Sequence, residues 1–246
     1  MRLADIRPCV HYTQFCMDWQ ALLLTFRLAA VTTAILLCLA VPLAAWLALS
    51  RSRWKTLVEA VAGLPLVLPP AVLGFYLLVL LGPVQGPGHE LGQLLGRPLA
   101  FTFSGLVIGS VIYSFPFALQ PLVAGFSAVD ADLVDAARLL GARRWRLVST
   151  IMLPLAKRSL LTAAMLGFLH TLGEFGVVLM VGGDIPGVTR TLSTVLYDQT
   201  QKPDYAAANQ TALMLLIFCF VGLMVVYILA GKKRTGAGQR VGAGLG

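Results

Sequence analysis

The segment Asp130–Pro154, DADLVDAARLLGARRWRLVSTIMLP, decides how the rest of this chain is read. It is a long charged stretch inside an otherwise oily sequence. Leu133, Ala136, Ala137 and Leu140 recur at the i, i+3, i+4, i+7 spacing of one helix face, which predicts a short amphipathic helix. Asp130 stands where an N-cap is needed, and Asp132 and Asp135 suit the positive end of a helix dipole. Gly141 can adopt the left-handed turn that stops the helix. Arg143, Arg144 and Arg146 then supply positive charge where a helix C-terminus and a membrane surface both favour it.

Composition places this segment in a membrane protein. The chain has 246 residues, of which 58% are hydrophobic and 12% charged. Its mean hydropathy is +0.82. Soluble domains carry about 25% charged residues. The net charge of +8 raises nucleic acid as a partner. The basic residues are spread between apolar runs, however, and cytoplasmic loops of membrane proteins account for that spread more simply. No cleavable leader is read at the start of the chain, because the stretch from Met1 to Gln20 is polar and no apolar run precedes Ala21.

Five apolar runs stand out, four of them without a charge. Leu28–Leu49 carries no charge and is long enough to cross a bilayer core, with Arg27 at its edge and Pro42 inside. Ala60–Leu81 is equally long and uncharged but contains Pro65, Pro69 and Pro70, so a regular helix throughout is excluded. The plain reading is that a proline here starts a helix; the sharper one, since unwound backbone is tolerated at membrane depth only where protein or a cavity surrounds it, is a wall beside a translocation path. A Gly/Pro-rich loop over 82–98 follows, with a short helix expected at Glu90–Leu95. Leu99–Val129 is uncharged throughout and longer than one span needs, and the span is expected at Phe101–Gly125. Beyond the quoted segment, Lys157 and Arg158 mark the entry to a span over Ser159–Val181 that contains His170, Gly173 and Glu174. A polar loop over 182–205 leads to the last uncharged run, Ala206–Gly231.

The expected fold is therefore all-α and polytopic, with about five transmembrane helices. Residues 1–20 form an extracytoplasmic N-terminal tail, 21–231 the transmembrane region with its polar loop at 126–158, and 232–246 a basic cytoplasmic tail. Thirteen basic residues collect on one side of this topology and five on the other. The richer side is cytoplasmic, which puts the N-terminus outside and the helix before Gly141 in the cytoplasm.

Catalytic chemistry is hard to find. There is no G-x4-G-K-[ST] phosphate loop, no H-E-x-x-H and no nucleophile–base signature, so neither ATP hydrolysis nor a catalytic residue is assigned to this chain. His11, His89 and His170 are far apart, and no metal ligand set is read. Cys38 and Cys219 lie in apolar runs as packing residues, and Cys9 and Cys16 could pair if their tail is outside. Glu174 is the one acid deep in a span, and such a carboxylate is a functional candidate. It lies about 22 Å along its helix, toward the outer end, where pairing or hydration is the plainer reading.

The spacing Asp135-Ala136-Ala137, three residues, Gly141, nine residues, Ile151-x-Leu153-Pro154 resembles the "EAA" loop of ABC-type importer permeases. Aspartate stands where that family usually has glutamate, which keeps the charge and shortens the reach. The run PLVLPPAVLGFYLLVLLG, the stretch Leu172-Gly173-Glu174-Phe175-Gly176 and the loop Gly183-Asp184-Ile185-Pro186-Gly187 are similar to molybdate importer permeases. Gly-Glu-Phe-Gly is shared with sulfate permeases, and the Ile-Pro-Gly loop with Leu-Pro-Pro-x-Val-Leu-Gly tips the choice to molybdate over sulfate or tungstate. The resemblance covers roughly Trp19 to Ala230.

This resemblance implies a type I importer permease fold in the inner membrane. It implies a homodimer with one pore, two cytoplasmic ATP-binding subunits, an extracytoplasmic oxyanion-binding protein and no cofactor bound by this chain. The coupling residues would be Asp135, Ala136, Ala137, Gly141 and Pro154, with the helix around them seated in a groove of the ATPase. Pro69, Pro70, Gly173, Glu174 and Gly176 would border the translocation path. Two other classes compete: a carrier driven alone by an ion gradient, which needs titratable groups such as Glu174 and His170 at mid-membrane, and an intramembrane enzyme.

Overall fold

The computed structural model describes residues 18–50, 52–82, 87–96, 98–202 and 204–231. Cys9, Cys16, His11, the first tail and the basic tail over 232–246 lie outside the described residues. Among the described residues the regular structure is entirely helical.

The first helix, α1, runs Trp19–Leu49. It starts well before the uncharged run because Asp18 accepts from the amides of Gln20 and Ala21, at 3.1 and 3.0 Å, and caps it. Arg27 thus sits within the helix rather than at its edge, and its guanidinium lies 4.8 Å from the centre of the Phe103 ring. The proline-rich run divides into α2, Trp54–Val67, and α3, Pro70–Leu81, bent by 108° at Leu68-Pro69. Pro70 opens α3, where its missing N–H costs nothing. The short helix α4 covers Pro87–Leu95, and α5 runs Phe103–Ser127 from a Thr102 cap.

The quoted segment forms α6, Ala131–Leu139, then α7, Arg144–Leu147, a π-helical turn at Val148–Met152 and α8, Leu153–Leu155. The span after it breaks into α9, Lys157–Gly173, and α10, Gly176–Gly182. The expected polar loop over 182–205 instead holds α11, Leu192–Gln201, capped by a reciprocal Thr191–Thr194 pair. The last helix, α12, covers Tyr205–Gly231.

Three described helices, α1, α5 and α12, are each long and apolar enough to cross a membrane, and counting the two bent pairs as spans raises the number to five. The central bundle is α1, α5 and α9. Helix α10 packs against α3 and α5, and α11 spans between α12 and α1. Small residues permit the close approaches: a β-carbon on Gly74 of α3 would lie 2.9 Å from Met180 Cβ of α10.

Candidate functional site: an amphipathic helix and a broken-helix junction

Two groups of residues stand at opposite ends of α9, whose 17 residues span about 25 Å. At its N-terminal end lies α6. Asp130 caps it by accepting from the Asp132 amide at 3.0 Å, and Gly141 ends it at φ +81°. That left-handed conformation is available to glycine without a Cβ clash.

The buried face of α6 is not the stripe that spacing suggests. Val134 and Ala137 face inward and join a core with Leu47 of α1, Leu122 and Phe126 of α5, and Leu147 and Met152. Leu133, Leu139 and Leu140 point out, with Leu139 and Leu140 90% and 89% exposed. A regular helix turns about 100° per residue, and the protein contact falls between the two inward residues, so the expected stripe becomes one flank of the helix. Of the five residues expected to couple to an ATPase, Ala137 is buried, Asp135 and Ala136 are exposed on opposite flanks, Gly141 is the stop, and Pro154 is exposed in α8. Asp135 accepts from Arg138 Nη1 at 3.0 Å. Helices α7 and α8 meet α9 at 82°, which lays them across the end of the bundle.

At the other end of α9 two broken spans touch. Gly173 ends α9 and Gly176 begins α10, so Glu174 and Phe175 occupy the break. Gly176 lies against Pro70, which itself follows the Pro69 cap of α3. The five residues expected along the path therefore come together as one junction, except that Gly173 faces open space with no atom within 4 Å of a built Cβ. Glu174 is 5% exposed. Its carboxyl is turned toward Ser110 of α5, yet neither carboxyl oxygen nor the Ser110 hydroxyl completes a hydrogen bond. The backbone is better served: Ser193 of α11 donates to the Glu174 carbonyl at 2.5 Å.

One turn from Ser110, Ser114 bonds His170 Nδ1 at 2.9 Å and Thr171 Oγ1 at 3.1 Å. The imidazole stacks on Phe117, with ring centres 3.8 Å apart. Ser110 and Ser114 were not among the residues singled out from sequence. Their i, i+4 spacing in an apolar run is the signal that marks a shared polar face.

The loop beyond α10 is tied together by hydrogen bonds to its own backbone and by ion pairs. Asp184 has φ +51°, and the Ile185 carbonyl accepts the amides of Val188, Thr189 and Arg190. Arg190 grips Asp184 through Nε and Nη2, and Nη2 also reaches Asp198 at 3.2 Å. Lys202 reaches the same Asp198 oxygen at 2.8 Å. Hydrogen bonding to Asp184 raises the Arg190 pKa above its already high ordinary value; burial opposes this, and the charges of Asp184, Asp198 and Asp18 add to it. This network joins the loop to α11 and was not legible in the sequence. Among the described residues no group of three or more His, Cys, Asp or Glu could hold a metal ion.

Known proteins are similar to this chain in sequence and in fold. The family model for binding-protein-dependent transport system inner membrane components matches residues 40–235. The molybdenum transport system permease protein of Azotobacter vinelandii is 48% identical over 222 residues, which is 90% of this chain and 96% of that protein. Its counterpart in Escherichia coli K12 is 33% identical over 90% of this chain and 97% of that protein. Among solved structures, an inward-facing methionine ABC transporter superposes with a TM-score of 0.67 at 16% identity, covering 87% of this chain and 95% of that one. A bacterial alginate ABC importer gives 0.66 at 16% identity, over 89% and 79%. At that identity the superpositions speak for the fold, and the sequence relatives for the family. This chain belongs to the binding-protein-dependent transport system inner membrane components, the permease subunits of ABC importers.

Proposed function

We propose that this chain forms half of the pore of an ATP-driven importer that carries molybdate inward from an extracytoplasmic binding protein. Two copies enclose the path, and one ATP-binding subunit docks on the α6 of each. The N-terminus is outside and α6 is cytoplasmic. The observation that carries this reading is α6 itself. Its inner face is locked into the core, while Leu139 and Leu140 are offered to a partner on the side richest in basic residues. Molybdate as cargo is supported by the 48% identical relative and its counterparts.

ATP-driven approach of the two ATPase subunits draws the two α6 helices together. Because α6, α7 and the π-helical turn share one core with α1 and α5, that motion passes into the bundle as a rigid-body tilt. The far end responds at the junction of α3 and α10, where the helices are already broken. Among the described residues no lysine or arginine lies at the centre of a span to hold a dianion, so selectivity rests mainly with the binding protein.

The test is reconstitution of the chain with its ATPase and binding protein in liposomes. ATP hydrolysis stimulated by molybdate-loaded binding protein, with molybdate uptake, is expected. Uptake by the chain without any ATPase, driven by an ion gradient, would overturn the reading. Equal stimulation by sulfate would change the cargo and leave the mechanism in place.

A further inference from the structure

A cavity of about 730 Å³ opens between the end of α1 and the coupling segment. Trp46 and Leu49 of α1 form one wall; Asp135 and Arg138 of α6, with Arg144 and Trp145 of α7, form the other. Its character changes along its length. The α1 side is apolar, and the opposite end carries two guanidinium groups. Arg138 commits Nη1 to Asp135, which leaves most of its five donors free. Arg144 is exposed and makes no side-chain hydrogen bond or ion pair with another described residue. The cavity is level with the end of the first apolar run, where tryptophans gather at a membrane–water boundary.

We propose that this cavity binds the phosphate head group of an anionic phospholipid from the cytoplasmic leaflet. Arg144 and the free donors of Arg138 hold the phosphate oxygens, as guanidinium forks do. Trp46 and Trp145 flank the glycerol backbone, and the acyl chains leave past Leu49 into the bilayer. Basic pockets between helices on the cytoplasmic side suit such head groups. A free oxyanion would fill only a small part of the space and would leave the apolar wall without a contact. The ATPase approaches another flank: the exposed Leu139 lies about 100° around α6 from Arg138. Lipid bound here would brace α6 against α1, so that a pull on α6 moves the bundle rather than bending the loop. The inference rests on the proposed sidedness and not on the cargo.

The experiment uses the full chain purified with its ATPase in nanodiscs of phosphatidylcholine containing about one fifth phosphatidylglycerol, a charge density like that of an anionic leaflet. The complex is moved into mild detergent, and retained lipid is identified by native mass spectrometry. Retention of phosphatidylglycerol but not phosphatidylcholine is expected, reduced about fivefold by Arg144→Gln and also reduced by Trp145→Ala. Equal retention of both lipids, or unchanged retention in Arg144→Gln, would overturn the proposal. Displacement of the lipid by millimolar phosphate or molybdate would reassign the cavity to a free oxyanion and likewise overturn it. A stable complex with no retained lipid defeats this inference alone, whereas failure to bind an ATPase defeats the functional reading.

Discussion

Gly176 and Pro70 are packed so closely that a β-carbon built on the glycine would lie 2.6 Å from Pro70 Cβ. The contact joins the first turn of α10 to the first turn of α3, so the two broken spans meet at their breaks. Neither helix can move closer to the other there without a clash. Glycine is required because the distance leaves no room for a methyl group.

Gly176→Ala is expected to destabilise the permease by about 1–3 kcal/mol, the usual cost of overpacking, and to reduce transport further by separating α3 from α10. Gly173→Ala should be close to neutral in stability, since its built Cβ meets nothing within 4 Å. Thermal unfolding of the detergent-solubilised chain and uptake in proteoliposomes read the two effects. Similar losses in both variants would refute the junction.

On α6 the two faces should separate docking from folding. Leu140→Asp is expected to leave the melting temperature unchanged and to weaken ATPase association. Ala137→Glu buries an unpaired charge in the core shared with Leu47 and Phe126 and should cost about 3–5 kcal/mol. Co-purification with the ATPase, alongside thermal unfolding, distinguishes them.

Ser193→Ala removes the donor to the Glu174 carbonyl across the break between α9 and α10. A buried carbonyl left without a partner costs about 1–3 kcal/mol. Faster amide hydrogen exchange over residues 174–178 is expected, with little change in α6. Unaltered exchange at the break would show that α11 does not hold it.

Arg190→Ala leaves Asp184 and Asp198 without their shared cation. The groups are partly solvated, so a loss of about 1 kcal/mol is expected rather than the larger cost of a buried pair. The visible consequence is loosening of the loop over 183–190 and weaker docking of the binding protein, measured by surface binding to nanodisc-held permease. Arg190→Lys should restore part of the charge but not the two-pronged grip on Asp184.

The sequence by itself determined the membrane class, the position of α6, its Asp130 cap and its Gly141 stop, and the break expected in the proline-rich run. Each of these depends on local chemistry: apolar run length, capping by a short carboxylate, a φ open to glycine, a missing N–H. The contact between Pro70 and Gly176, the inward turn of Val134 instead of the Leu133–Leu140 stripe, the Ser193 clamp on Glu174 and the Arg190 network were decided only by tertiary structure. They join side chains from separate helices or depend on which flank meets the core. Helix periodicity sets the angle between residues on one helix, but not which angle the rest of the protein covers.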